Sequence, residues 1–170
     1  REELKKQGYQ FKSRSDTEVL IAAYKHWGEA CVHHFNGMWA FAILDIHKRK
    51  LFCSRDRFGI KPFYFFQNDQ LFCFASEIRQ ILQVTQNAQA NRQVLYNYLF
   101  AGLEEYCNET FFSDIFKLPS GSCLTYDLDN HIIKINQFYK LKPTELYNTD
   151  ETNMVTKIKT LFTNTINLRF

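Results

Sequence analysis

The chain has 170 residues, a formal net charge of +3, and 45% hydrophobic and 16% aromatic residues. A chain of this length can bury roughly 70% of the surface that it exposes when unfolded, enough for one domain with a hydrophobic core. The positive charge is too small and too evenly spread for a nucleic-acid-binding surface. No apolar run has the length of a membrane span, and no signal peptide is visible. Composition therefore predicts a globular domain with no nucleic-acid or membrane partner.

The five cysteines are odd in number and widely spaced, with no CxxC pair. They are Cys31, Cys53, Cys73, Cys107 and Cys123. This spacing indicates neither a zinc site nor a disulfide framework. We therefore expect reduced thiols, a cytoplasmic location and no metal site.

The first 35 residues contain two helical patterns separated by a short extended stretch. Residues 1–7 are typical of helix, and residues 9–12 of a short strand. Ser15 and Glu18 have the S-x-x-E spacing of a capping box, in which each side chain accepts a hydrogen bond from a free backbone amide. A second helix is therefore predicted to begin after Ser15, with one apolar stripe toward the core.

Asp16 occupies the first position of that second helix. A carboxylate at a helix start is favoured by the helix dipole, which would be reason enough for its presence. Alternatively, the carboxylate faces a pocket and pairs with the ammonium group of a ligand. Both interpretations are open on the residues alone.

Residues 36–77 contain four apolar segments joined by short polar turns, which predicts four strands. Residues 38–46 have almost no polar break, so we predict a central strand with both faces buried. It should pair antiparallel with residues 51–57. Residues 63–67 and 71–75 should form a hairpin across Asn68 and Asp69, which favour turns.

The remainder predicts two helices, three strands, a linker and a last helix. The segments are helices 78–82 and 92–101, strands 110–118, 122–128 and 131–139, linker 140–152 and helix 154–170. The last helix is amphipathic but has no partner within its own segment. We expect it to begin a further domain.

Four motifs stand in a fixed order: SDTEVL at 15–20, FNGMWAFA at 35–42, RDRFGIKP at 55–62 and ASE at 75–77. In this order and spacing they resemble the glutaminase domain of glutamine-hydrolysing asparagine synthetases, as does the later LPSG at 118–121. The resemblance implies an α+β fold of the N-terminal-nucleophile hydrolase type, a four-layer αββα sandwich with two largely antiparallel sheets. It also implies a glutaminase domain at residues 1–140, lacking its N-terminal part. Residues 141–170 would be the linker and first helix of the synthetase domain.

The chemistry implied by the resemblance begins with an N-terminal cysteine thiolate that attacks the carboxamide of glutamine. Oxyanion donors stabilise the intermediate, and the released ammonia reaches a synthetase domain that uses ATP and Mg to amidate aspartate. Residue 1 is Arg, so the nucleophile and the oxyanion segment would lie upstream of it and the ATP-binding loop beyond Phe170. We expect the 170-residue chain alone to be inactive and to bind no cofactor.

Residue by residue, the resemblance assigns Asp16 to the α-ammonium group of glutamine. The other signature residues, which receive no catalytic role, are Arg55, Asp56, Gly59, Lys61 and Glu77. For the charges at 55–61 we expect a turn fixed by an internal ion pair. Glu77 would cap a helix or contact the synthetase domain. The implied partners are glutamine and the synthetase domain of the same chain, and a homodimer is left open.

Two other functional classes stay open on the sequence. The glutaminase half could be retained only as a structural partner, as in some synthetase-related cyclases. A cysteine directly after the initiator methionine would argue against that. The protein could instead be another class II amidotransferase, such as a phosphoribosyl-pyrophosphate amidotransferase, with its similar Arg-Asp-x-x-Gly signature. The segments at 36–43 and 117–121 argue against this second alternative.

Overall fold

A computed structural model describes residues 1–86, 88–104, 106–142 and 150–167. The chain divides into two units, Arg1–Lys140 and Leu141–Phe170. The helices are α1 Glu2–Lys6, α2 Asp16–Trp27, a 3₁₀ helix Gly28–His34, α3 Ile78–Thr85, α4 Arg92–Ala101 and α5 Glu151–Asn167. The strands are β1 Ala40–Asp45, β2 Lys50–Arg55, β3 Tyr64–Gln67, β4 Phe72–Ala75, β5 Ile115–Lys117, β6 Ser122–Asp127 and β7 Ile133–Gln137.

The strands of the first unit form two sheets in which every pair is antiparallel. One sheet has the order β1-β2-β6-β7 and the other has the order β4-β3-β5. Adjacent side chains on a strand point to opposite faces. Phe52 therefore faces α2 and Tyr24, while Cys53 faces the second sheet, where it packs near Phe65.

Three buried clusters define four layers. The first cluster joins α1, α2 and the outer face of the four-stranded sheet, with Leu4, Ala23 and Phe52 at its centre. The second lies between the two sheets, and the third places Ile81 of α3 on the outer face of the three-stranded sheet, beside Ile115. This helix–sheet–sheet–helix arrangement confirms the predicted α+β sandwich.

Strand β1 pairs with β2 as predicted, but it is not a central strand. The register runs from Ala40 opposite Arg55 to Asp45 opposite Lys50. Among the described residues β1 has no second neighbour, whereas β2 also pairs with β6. Leu44 is 56% exposed, which contradicts the prediction of two buried faces. The unbroken apolar run arises because Phe41 and Ile43 pack against the helix layer while Ala40 and Ala42 face the second sheet.

The segment before α2 differs from prediction in two respects. Residues 9–12 form no strand; Tyr9 and Phe11 instead pack their rings against the first cluster. The capping box is only half made. Ser15 Oγ accepts from Thr17 N at 3.2 Å, but the carboxylate of Glu18 reaches further back, to the amides of residues 12 and 13.

The second unit consists, within the described residues, of α5 and residues 141, 142 and 150 before it. α5 begins at Glu151, inside the segment predicted as linker, and its apolar side chains are exposed. Most of that linker, residues 143–149, and the predicted end of the helix, 168–170, lie outside the described residues. None of the described helices has the length and hydropathy needed to cross a membrane.

Candidate functional site

A cleft of about 780 Å³ opens beside the first turns of α2. Its walls are residues 16, 17, 19 and 20 of α2, residues 34–41 from the end of the 3₁₀ helix into β1, Lys61 and Pro62 after β2, and Ser76 after β4, with Arg1 also in the lining. All four motifs singled out in the sequence therefore contribute residues to one concave surface. Concave sites with a few placed polar groups are the usual setting for small-molecule binding.

Asp16 is the first residue of α2 and lines this cleft. Its carboxylate has no hydrogen bond or ion pair to another residue of the described parts of the chain, and it is exposed. Ser15 provides the side-chain cap of the helix, so Asp16 is not needed for capping. The carboxylate is therefore available to a cationic group in the cleft.

The turn that carries Asp16 is fixed from both sides. Glu18 accepts hydrogen bonds from Lys12 N at 2.8 Å and Ser13 N at 2.9 Å. The Lys12 amide, followed by the hydroxyl and amide of Ser13, lowers the pKa of Glu18. Arg1 donates to the carbonyl oxygens of Ser13 at 2.7 Å and Ser15 at 3.0 Å. These contacts hold the start of α2 at the edge of the cleft.

Arg55 fixes the loop that follows β2 by binding three carbonyl oxygens. Its guanidinium donates to Lys61 O at 2.8 Å, Gly59 O at 2.7 Å and Leu118 O at 2.8 Å. Gly59 has φ +65, and a Cβ there would lie 3.1 Å from Arg55 Cζ. Both the backbone conformation and the close approach of the guanidinium therefore favour glycine.

Asp56 completes the same loop from its inner side. The side chain is 1% exposed and accepts from the amides of Phe58 at 3.1 Å, Ile60 at 3.1 Å and Lys61 at 2.9 Å. The expectation of an internal ion pair is wrong, because both charged side chains bind backbone groups instead. Buried charges are stabilised when such hydrogen bonds replace water.

Arg55 binds the carbonyl oxygen of Lys61 and Asp56 binds its amide, so both backbone polar groups of Lys61 are held. Lys61 lies with Pro62 in the wall of the cleft. No ion pair to the Lys61 ammonium group is present within the described residues. Lys61 and Asp16 thus contribute opposite charges to one cleft. Glu77 is not part of its lining. It occupies the N-cap position of α3 without a side-chain capping bond and forms a surface ion pair with Arg79.

Arg57 contacts the wall of this cleft without lining it, and sequence reasoning missed its role. It donates to Phe35 O at 2.6 Å, and its guanidinium lies 5.6 Å from the ring centre of Trp39. Both partners belong to the cleft wall formed by residues 34–41. The available signal was its position beside Arg55 and Asp56 in the Arg-Asp-Arg sequence at the end of β2.

The described cysteines do not supply an activated thiol to the cleft. Burial raises the pKa of Cys31 and of Cys53 to about 12, and that of Cys123 to about 11. Catalytic thiols need the opposite shift, because the thiolate is the nucleophile. Within the described part of the chain, no group of three or more His, Cys, Asp or Glu side chains could hold a metal ion.

Comparisons with known proteins give a consistent result. A family model described as a glutamine amidotransferase domain matches residues 1–139. The chain is 33% identical over 163 residues to asparagine synthetase [glutamine-hydrolyzing] 3 of Bacillus subtilis, covering 95% of this chain and 26% of that protein. It is also 33% identical over 172 aligned positions to asparagine synthetase [glutamine-hydrolyzing] 1 of the same organism, covering 99% of this chain and 26% of that protein.

Among solved structures, the fold is similar to that of glutamine phosphoribosylpyrophosphate amidotransferase from B. subtilis, which was determined with ADP and GMP. The TM-score is 0.51 at 18% identity, over 81% of this chain and 26% of that one. This likeness supports the fold of N-terminal-nucleophile hydrolase type. The chain spans about a quarter of the length of the curated relatives that it matches. Since the family model covers most of its residues, the chain belongs to the glutamine amidotransferase domain family.

Proposed function

We propose that the whole protein is a glutamine-hydrolysing asparagine synthetase and that residues 1–140 belong to its glutaminase domain. The glutaminase reaction releases ammonia from glutamine, and a synthetase domain uses it to amidate aspartate. Support comes from the family match and from relatives that carry this name along nearly the whole chain. ATP and Mg, used by the synthetase domain, are part of the proposal, as is the assignment of residues 141–170 to the linker and first helix of that domain.

The observation that carries the proposal is the carboxylate of Asp16. It stands at the cleft without a partner among the described residues, on a turn that Glu18 and Arg1 hold in place. A charge-assisted hydrogen bond to an ammonium group suits it. We propose that Asp16 binds the α-ammonium of glutamine and so orients the substrate.

The other signature residues act through the walls of the cleft. Arg55, Asp56 and Gly59 hold the loop that presents Lys61 to the cleft. We assign no catalytic step to these residues. A cytoplasmic location belongs to the proposal because all five cysteines are free, as is usual in a reducing compartment.

The test is Asp16→Asn in the full-length protein, with glutamine-dependent and ammonia-dependent synthesis measured on the same preparation. Asparagine keeps the shape and much of the capping capacity but removes the charge. A hydrogen bond to a charged group contributes about 1.5–3 kcal/mol, so the glutamine KM should rise roughly tenfold or more. Added ammonia bypasses the cleft, so the ammonia-dependent rate should remain.

Asp69→Asn is the matched control, because Asp69 lies at the exposed tip of the β3–β4 hairpin, outside the cleft lining. It should leave both rates unchanged. If Asp16 served the helix dipole alone, Asp16→Asn would cost at most ~1 kcal/mol of stability and leave KM unaltered. A parallel fall of both rates would mean that Asp16 supports the fold. Ammonia-dependent synthesis without any glutamine-dependent activity in the unsubstituted protein would favour a purely structural glutaminase half.

A further inference from the structure

We propose that Arg57 is a positioning residue, which fixes the part of the cleft wall formed by residues 35–39 against residues 138–139, near the end of the first unit. The inference rests on the proposed function, because the ligand positioned by this wall is the glutamine bound at Asp16. Arg57 does not line the cleft itself. Its role is to hold the residues that do.

The wall formed by residues 35–39 depends on the end of β2. Arg57 Nη1 donates to Phe35 O at 2.6 Å, and the amide of Asp56 donates to Trp39 O at 2.9 Å. The indole of Trp39 also donates to Ser54 Oγ at 3.0 Å. The Phe35 end of this wall is therefore held by the Arg57 side chain, and the Trp39 end by the backbone amide of the neighbouring Asp56.

The same guanidinium binds the wall to the last residues of the first unit. It lies 5.6 Å from the ring centre of Trp39 and 5.7 Å from that of Tyr139, within the range of cation–π attraction. Phe138 stacks on Trp39 with ring centres 6.1 Å apart. The amides of Phe138 and Tyr139 donate to Gly121 O at 2.8 and 3.1 Å, so this segment is itself anchored.

Gly121 shows how closely the segment is packed. It has φ +60, and a Cβ there would approach Tyr139 O to 2.7 Å. The backbone of Tyr139 therefore passes close to Gly121, and its ring, beside Arg57, also packs against Phe58 with ring centres 5.8 Å apart. Arg57 therefore connects the wall both to the end of β2 and to this anchored segment.

Arginine suits this position better than lysine. A planar guanidinium can lie against aromatic rings while it donates in its own plane, whereas an ammonium group is a compact, strongly hydrated charge. Arg57 is half-buried, so its partners are shielded from competing water. Removing the guanidinium should let the wall shift, and a misplacement of about 1 Å in a binding site can cost a hundredfold in rate.

The experiment uses the full-length protein with Arg57→Met, which keeps the aliphatic stem, and Arg57→Lys, which keeps the charge. Arg49→Met is the matched control, because Arg49 is an exposed arginine at the other end of the β1–β2 hairpin, ion-paired with Asp129 at 2.9 Å. The kcat and KM for glutamine, the ammonia-dependent rate and the thermal midpoint are measured for each. Fluorine NMR spectra of protein labelled with 5-fluorotryptophan report on the environment of Trp39. Its signal is identified by its loss in the Trp39→Phe variant.

We expect kcat/KM for glutamine to fall between roughly tenfold and a hundredfold in Arg57→Met, with a smaller fall in Arg57→Lys. The ammonia-dependent rate should stay within about twofold, and the Trp39 signal should shift. Arg49→Met should change none of these. If Arg57→Met does not fold, Arg57→Lys decides by the same criteria.

Two results would overturn the role of Arg57 in an otherwise active protein. One is an unchanged kcat/KM for glutamine. The other is an equal loss of both rates together with a lowered thermal midpoint, which indicates a structural contribution only. Absence of glutamine-dependent ammonia release in the unsubstituted protein would instead contradict the proposed function, and with it the glutamine-positioning role. This holds regardless of what the fluorine spectra show about the contacts of Arg57.

Discussion

Asp56→Asn should be strongly destabilising although it replaces only one heavy atom of the side chain. The carboxylate accepts from three backbone amides and is 1% exposed. An asparagine oxygen can accept at most two of those hydrogen bonds, and a buried amide left without an acceptor costs about 1–3 kcal/mol. Neutral acceptors also contribute about 1 kcal/mol less per bond than charged ones. The expected loss is therefore about 3–5 kcal/mol, a large part of the stability of a typical domain.

Urea unfolding of the 170-residue chain at pH 7, followed by tryptophan fluorescence, measures this loss. The midpoint should fall for Asp56→Asn, while Asp69→Asn at the exposed hairpin tip should stay within about 0.5 kcal/mol of the unsubstituted chain. A loss below about 1 kcal/mol for Asp56→Asn would refute the reasoning, because it would mean that the three amides find other acceptors or water.

Two further predictions concern the sheet and its buried thiols. Backbone amide hydrogens of β2 should exchange with solvent more slowly than those of β1, because β2 pairs with a strand on each side. Uniformly slow hydrogen exchange along β1 would show that a partner covers its free edge. Stability should also fall at alkaline pH, because burial raises the pKa of Cys31 and Cys53 from 9.0 to about 12. The contribution of these neutral thiols is complete below pH 9 and is lost as the pH rises toward 12. Because burial also raises the pKa of Cys123 and of Tyr24, the urea midpoint should still fall between pH 8.5 and 11 in a Cys31→Ala, Cys53→Ala variant, but by less than in the parent chain. An equal fall in both chains would contradict the prediction.

Elements whose ends are set by nearby residues were predictable from the sequence. α4 has the predicted bounds, because Asn91 accepts from Val94 N at 3.2 Å and Gly102 ends the helix at φ +62. The β3–β4 hairpin turns where expected, since Asn68 Oδ1 accepts from Leu71 N at 2.8 Å. These hydrogen bonds span only three residues, so the residues that decide the structure are visible side by side in the sequence.

The sequence also indicated the family and placed Asp16 at the start of α2. Only the tertiary structure decided which residues far apart in the chain form hydrogen bonds with each other. Arg55 binds Leu118 O, 63 residues away, and no spacing rule relates the two positions. The order of strands made β2 central and left β1 at the edge, although β1 has the more continuous apolar run. Hydrophobic pattern reports how much of a strand is covered, not whether its backbone has a second neighbour. That depends on which strands, far apart in the chain, come together when the two sheets form.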